Sequence, residues 1–262
     1  MTLALNWLMF FILGTCIEFI FPAQPGQTWR YRWVNVCYAA IYCAVIFLTA
    51  PTLYIGVAAL SKWLPAQLFD LTKLIGDGAG WQIAAGFLIY AITDFFYYWW
   101  HRAQHTFPVL WAQHAVHHSE ENLNVTTSTR HHWSEFMFQA FVIGVPMAVL
   151  FKTPVLTIWA VATTFAAWSF FIHTNIRLQL GWLSWLICGP QLHRLHHSKL
   201  PQHKDRNFAA YFPIWDVLFG TYTAPQRGEF PPTGLHDGTR INNVSDLAVR
   251  PFVTWWRMLT NR

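Results

Sequence analysis

Residues 81–105 read WQIAAGFLIYAITDFFYYWWHRAQH, and this stretch sets the architecture. Trp81 to Trp100 holds a single charged residue, Asp94, and is long enough for one helix to cross a bilayer core. It closes on Tyr97, Tyr98, Trp99 and Trp100, aromatic residues of the kind that settle at a membrane–water boundary. The next residue is His101, and His105 follows one helical turn later on the same face. An apolar helix that ends in paired imidazoles is the unit from which the rest of the chain is read.

Composition supports that unit. The chain has 262 residues, of which 54% are hydrophobic, 18% aromatic and 11% charged. Soluble domains average about 25% charged residues. So few charges cannot cover a soluble globule, which excludes an ordinary soluble enzyme, a disordered tail and a charged coiled coil. The expected fold is an all-α integral-membrane helical bundle of about 4–5 transmembrane helices with a cytosolic His-rich helical cap. A net charge of +5 can attract nucleic acid. In a membrane protein, however, cytoplasmic loops collect Lys and Arg, so no nucleic-acid partner is expected. The four cysteines form no C-x-x-C pair and read as reduced thiols.

Five apolar stretches are visible. Leu3–Phe21 is interrupted by Asn6 and Glu18, and without a basic leader it reads as a retained anchor. Glu18 there needs an interface or a partner. Val34–Leu60 carries no charge, and Trp81–Trp100 follows. Phe136–Phe151 and Pro154–Ile172 form an apparent hairpin around the turn Lys152-Thr153-Pro154. Lys62–Ile75 mixes charge with Trp, Leu and Phe and reads as interfacial, as does the short Trp182–Ile187. Gly76-Asp77-Gly78-Ala79-Gly80 has no preceding strand and reads as a turn, not a phosphate loop. Residues 1–80 are thus anchor helices and an interfacial segment, 81–222 the catalytic region and 223–262 a cytosolic tail. With the N-terminus outside, about five crossings bring every His-rich segment to the inner face. Arg102, Arg130, Arg194, Lys199, Lys204 and Arg206 arrive there with them. The expected location is a multi-pass protein with its site on the cytoplasmic face, in a bacterial inner membrane ahead of the endoplasmic reticulum.

Thirteen histidines, more than the acidic residues, remain to be explained. His101-x-x-x-His105, His114-x-x-His117-His118 and His193-x-x-His196-His197 place imidazoles three and four apart, a spacing that aims them at one point from one helix face. His173 stands at the end of the fifth apolar stretch, and His132 lies between clusters. A lone His in an apolar helix is ordinarily a hydrogen-bonded core residue, and one such motif is compatible with a surface accident. Three motifs meeting at one membrane face point to metal. So many imidazoles exceed one ion's capacity and imply two metals, each holding about four or five. His131, His203 and His236 lack the spacing and are left as structural or surface residues.

These motifs resemble those of the fatty acid hydroxylase/sterol desaturase superfamily, the integral-membrane di-iron oxygenases. Arg130-x-His132-x-x-Glu135 is similar to that superfamily's R-x-H-P-x-E segment, with Trp133 in place of Pro. Phe171-x-His173-Thr174-Asn175 resembles F-x-H-S-N. Residues 207–222, NFAAYFPIWDVLFGTY, resemble the closing segment, with Phe208 and Ala209 where Tyr and Gly are usual. The resemblance runs from Asp94 to Tyr222, about half the chain.

The resemblance implies two iron ions, with zinc a possible substitute in purified protein. The ligands it implies are His101, His105, His114, His117, His118, His132, His173, His193, His196 and His197. It further implies a lipid substrate drawn from the bilayer, O2, and hydroxylation ahead of desaturation. Electrons would come from a separate cytochrome b5-, ferredoxin- or flavoprotein-type donor, because no H-P-G-G element is present. Metal-bound imidazoles give their second N–H to an acceptor. Asp94, Glu135, Asn175 and Asp216 are the candidates, with Asp94 alternatively a structural hydrogen-bond partner. Glu120 and Glu121 are expected to be solvated. Two other classes remain. A metal or proton transporter would place His at mid-membrane. A membrane zinc hydrolase would need a motif such as H-E-x-x-H, which does not occur.

Overall fold

The computed structural model describes residues 2–64, 68–71, 78–152 and 155–260. Its long helices are α1 (Thr2–Ile20), α2 (Trp29–Ser61), α3 (Ala79–Thr106) and α4 (Pro108–His118). They are followed by α5 (Trp133–Val142), α6 (Gly144–Leu150) and α7 (Val155–Ile172). Short helices α8 (Pro190–His196) and α9 (Ile214–Leu218) lead to a terminal helix, α10 (Val244–Thr260). The only paired strands among the described residues are two-residue pieces, Phe69–Asp70 and Phe151–Lys152, joined in parallel. The chain is helical, as its apolar runs require.

Among the described residues, two stretches are long and apolar enough to cross a membrane, Trp29–Leu60 and Trp133–Leu150. The second is broken between α5 and α6, where Pro146 lacks the N–H that would continue the hydrogen-bond ladder. On α2, Phe47 is 81% exposed and Leu48 73% exposed. Large apolar side chains turned outward in this way on a long helix suit contact with lipid. Half of the expected interfacial segment Lys62–Ile75 lies outside the described residues, as do Gly76, Asp77, Thr153 and Pro154.

The break that builds the site is local. Phe107 precedes Pro108, which disfavours helical backbone, and it is extended at φ −98°, ψ 120°. Pro108 then starts α4 at the position where a missing N–H costs nothing. The chain folds back, and α4 packs on α3 with their histidines facing each other.

Buried charges tie the helices together. Glu18 of α1 meets Arg32 of α2 at 2.6 Å, both nearly inaccessible. Its Oε1 also accepts from the backbone N–H groups of Val125 and Asn175, each at 2.7 Å. The partner Glu18 needs is therefore inside the protein. Glu120, expected to be solvated, is fully buried instead. It accepts from Asn35 Nδ2 at 2.8 Å and lies 3.4 Å from Arg130, whose guanidinium also holds the Val116 carbonyl and Ser119. A carboxylate can be enclosed only with such partners, and Arg130 lies ten residues along the chain, beyond the turn Val125–Thr129. Within residues 223–262, α10 is no loose tail: Leu247 packs against Tyr38, Val116 and Ile241.

Candidate metal centre

Nine of the ten expected histidines converge in two groups, five in one and four in the other. His101, His105, His114, His118 and His196 form the first, and His117, His173, His193 and His197 the second. Within each group the nearest ring nitrogens all lie within 4.8 Å of one another. The two H-x-x-H-H motifs divide in opposite senses. From α4, His114 and His118 enter the first group and His117 the second; from the α8 motif, His193 and His197 enter the second and His196 the first. The groups adjoin through His118 and His197, whose rings stack with centroids 4.4 Å apart.

Hydrogen bonds to the outer nitrogens fix how these rings present themselves. Carbonyl and carboxylate oxygens only accept, so the ring nitrogen facing one carries the proton. His101 Nδ1 donates to the Phe208 carbonyl at 2.7 Å, His196 Nδ1 to the Arg206 carbonyl at 2.8 Å and His173 Nδ1 to the Ser169 carbonyl at 2.6 Å. His114 Nδ1 donates to Glu135 at 3.2 Å and His105 Nδ1 to Asp205 at 3.3 Å. Each of these rings keeps a lone pair on Nε2, aimed into its group.

The arrangement fits a metal ion. His101 Nε2 and His114 Nε2 face each other at 3.0 Å, both as lone pairs. His173 Nε2 sits 3.1 Å from that of His117 and 2.9 Å from that of His193. His196 Nε2 is buried with no hydrogen-bond partner among the described residues. Lone pairs held this close repel unless a cation lies among them. Burial, reinforced by the other imidazoles, also holds the rings neutral, which is the form that binds metal. His101, His117 and His197 are pushed far below the ordinary histidine value. His196 is lowered to about 3, by burial above all.

His132 does not join either group. It caps α5 in extended backbone, with Nδ1 on Ser134 Oγ at 2.7 Å and Nε2 3.2 Å from the Ala248 carbonyl of α10. In extended chain adjacent residues project to opposite sides, so His132 turns to α10 and His131 turns to the cluster. His131 stacks on His117 with centroids 3.9 Å apart, and its Nδ1 lies 3.2 Å from Glu135 Oε2. Sequence reading passed over His131; its four-residue spacing to Glu135 was the available signal. His203 pairs with Glu229 and His236 with the Lys199 carbonyl, and neither belongs to the two groups.

Of the four orienting candidates, Glu135 touches a clustered histidine, His114. Asp216 acts one step back: it accepts from the N–H groups of Phe208 and Ala209 and so fixes the loop whose carbonyl holds His101. Asp94 accepts from the N–H groups of Tyr211 and Phe212, which makes it a structural anchor between α3 and the loop before α9. Asn175 holds Gln24 and Arg194. Asp205 and the three backbone carbonyls were missed, and no residue letter marks a carbonyl.

Two cavities border the groups. One of about 250 Å³ is lined by Tyr90, Tyr97, Phe165 and Trp168 and reaches His173 and His193. The other, of about 430 Å³, reaches His105, His118 and His196 from the side of Lys204, Asp205 and Arg250.

Helices gather the histidines into two adjoining groups, each able to hold a metal ion, beside an aromatic cavity. Residues 86–221, just over half of the chain, match the fatty acid hydroxylase family, and the chain belongs to it. An alkylglycerol monooxygenase of Xenopus tropicalis is 38% identical over 131 residues, covering 50% of this chain and 28% of that protein. An ornithine lipid hydroxylase of Rhizobium tropici is 31% identical over 171 residues, covering 65% of this chain and 50% of the relative. The fatty acid hydroxylase vlmA of a Lecanicillium species is 28% identical over 166 residues, covering 57% of this chain and 44% of its own length. The chain thus spans half or less of each of these relatives. No solved structure matches it significantly.

Proposed function

We propose that the chain is a membrane-bound, non-haem di-iron oxygenase that hydroxylates a C–H bond of a lipid. The observation that carries this reading is the pair of adjoining histidine groups whose lone pairs converge, set against an aromatic cavity. His101, His105, His114, His118 and His196 would hold one iron, and His117, His173, His193 and His197 the other. When bound, the irons supply the activation of O2 that an unactivated C–H bond requires and that no side chain provides. One oxygen atom enters the C–H bond and the other leaves as water. Two electrons and two protons come from a separate cytochrome b5-, ferredoxin- or flavoprotein-type donor.

The protein's own part is to bind and orient. Glu135, Asp205 and the carbonyls of Phe208, Arg206 and Ser169 set the rings. The cavity bounded by Tyr97, Phe165 and Trp168 takes an alkyl chain out of water. Hydroxylation is favoured over desaturation by the relatives' names, monooxygenase and hydroxylase. In this reading residues 81–222 are the catalytic unit, several helices cross the membrane, and the site lies at its cytoplasmic face. Clustering of the histidines at helix ends, rather than along helix middles, sets the reading apart from a transporter.

The test is lipid analysis of cells carrying the protein or its His117→Ala, His196→Ala variant, with metal analysis of the purified chain. A lipid that gains one oxygen atom only with the intact protein, and two irons per chain, are the expected results. Identical lipids in both cells would overturn the proposal. Zinc in the purified chain calls for reconstitution with iron before the lipid assay.

A further inference from the structure

Helix α10 carries more apolar surface than the described residues cover. Its inner side is accounted for: Leu247 packs with Tyr38 and Val116, and Pro251 is buried. Pro251 has no N–H to give the Leu247 carbonyl, and the Tyr38 hydroxyl of α2 reaches that oxygen at 3.4 Å. The outer side is different. Val249, Phe252, Val253, Trp256 and Leu259 are all exposed, Trp256 at 66% and Leu259 at 80%. At helical spacing these five share a face of about 120°, and Arg250 and Arg257 stand along one margin of it. Two contacts locate that face. Tyr38 lies in the first third of α2, and Phe252 packs against Trp133, the first residue of α5, with ring centroids 5.6 Å apart. The Ala248 carbonyl meets His132 just before it. These are the starts of the two stretches long and apolar enough to cross a membrane, so α10 lies across the same end of both.

We infer that α10 lies in the plane of the membrane surface, its outer face dipped below the lipid headgroups and Arg250 and Arg257 at the level of the phosphates. The partner is the bilayer that α2 and α5 cross, with anionic lipid favoured by the two cations. An apolar face with Trp in it and cations at its margin is the make-up of an interfacial helix. The Trp ring suits the boundary between acyl chain and water, and long Arg side chains reach back to the phosphates. The inference goes beyond the oxygenase reading and holds whether or not a lipid is oxidised. It has one consequence for the metal centre. Arg250 and Thr254 also wall the cavity of about 430 Å³ that reaches His105, His118 and His196, so seating α10 on the bilayer fixes that wall relative to the membrane.

The experiment measures depth. The full chain, metal-loaded and carrying Cys16→Ala, Cys37→Ala and Cys43→Ala, is placed in vesicles of equal parts phosphatidylcholine and phosphatidylglycerol. The buried Cys188 is left in place. A fluorophore is attached at one added cysteine, Val249→Cys, Trp256→Cys or Leu259→Cys on the outer face. Gln202→Cys, on the exposed turn after α8, is the aqueous reference, and Phe47→Cys on α2 the reference for the bilayer interior. Emission is quenched by iodide from water and by lipids bearing a nitroxide near the headgroup or deep in the acyl chain. The three α10 sites are expected to be several-fold less open to iodide than Gln202→Cys. The shallow nitroxide should quench them several-fold more than the deep one, and the order should reverse at Phe47→Cys. Adding Trp256→Glu and Leu259→Glu should open Val249→Cys to iodide. Iodide quenching at Trp256→Cys equal to that at Gln202→Cys overturns the inference. So does shielding that neither nitroxide lipid reaches and that grows with the protein-to-lipid ratio, which would mean that a second copy covers the face. A Phe47→Cys label open to iodide would sink the crossing of α2 and the inference with it.

Discussion

His101 Nε2 and His114 Nε2 face each other at 3.0 Å while their outer nitrogens are held by the Phe208 carbonyl and by Glu135. With both protons turned outward, the two lone pairs can be reconciled only by a cation. Metal removal should therefore destabilise the folded chain. Chelation is expected to lower stability by about 4 kcal/mol at metal concentrations near a thousand times Kd. Thermal unfolding in detergent, with and without chelator, measures it; an unchanged midpoint would contradict a metal role for these rings.

Glu135 both orients His114 and accepts from Gln104. Replacement by Leu removes the acceptor at similar volume. Loss of such an orienting partner typically costs about 10–100-fold in metal affinity or activity. Glu135→Gln keeps an oxygen toward His114 and should lose less. Metal titration of the two variants checks the order.

His132 and His196 make opposite predictions, although both stand in family-like motifs. His132 caps α5 and meets the Ala248 carbonyl. His132→Ala should keep wild-type metal content and lose about 1 kcal/mol, the usual cost of a cap. His196→Ala should lose metal from the first group. Metal analysis of both purified variants decides between them.

The Glu18–Arg32 pair is enclosed between α1, α2 and the turn at Val125. Arg32→Met strands the carboxylate and should cost about 3–5 kcal/mol. Adding Glu18→Gln removes the stranded charge while keeping an acceptor for the Val125 and Asn175 N–H groups, and should recover much of the loss. Detergent-solubilised unfolding curves of single and double variants provide the measurement.

Acid should destabilise the metal-free protein. His196 is held at about 3, below the unfolded histidine value near 6.5, by burial above all. Between these values the unfolded chain binds protons that the folded chain does not, so stability falls as pH drops below about 6.5 and is level above it. His117 and His197 shift the same way. Unfolding midpoints across that range would show the slope; a flat profile would contradict neutral burial of the cluster.

The resulting picture separates local from distant information. Helical class, the apolar runs and eight of the nine clustered histidines were legible in the sequence, because i, i+3 and i+4 spacing needs only the geometry of one helix, while His173 was marked only by the family-like F-x-H segment. The expectation of two metals came from how few imidazoles one ion accepts. What only the tertiary structure decided depends on segments far apart in the chain. Each H-x-x-H-H motif splits between the two groups, and in opposite senses, with the rings of His118 and His197 stacked where the groups meet. His131 rather than His132 faces the cluster, since a capping residue's direction depends on what packs beside it, here α10. Glu120 is buried because Asn35, 85 residues away, lies against it. The orienting carbonyls of Ser169, Arg206 and Phe208 are backbone atoms common to every residue, so spacing in the chain carries no trace of which of them will meet a ring. Periodicity along one element picks out the histidines that cluster; the packing of distant elements assigns each its partner.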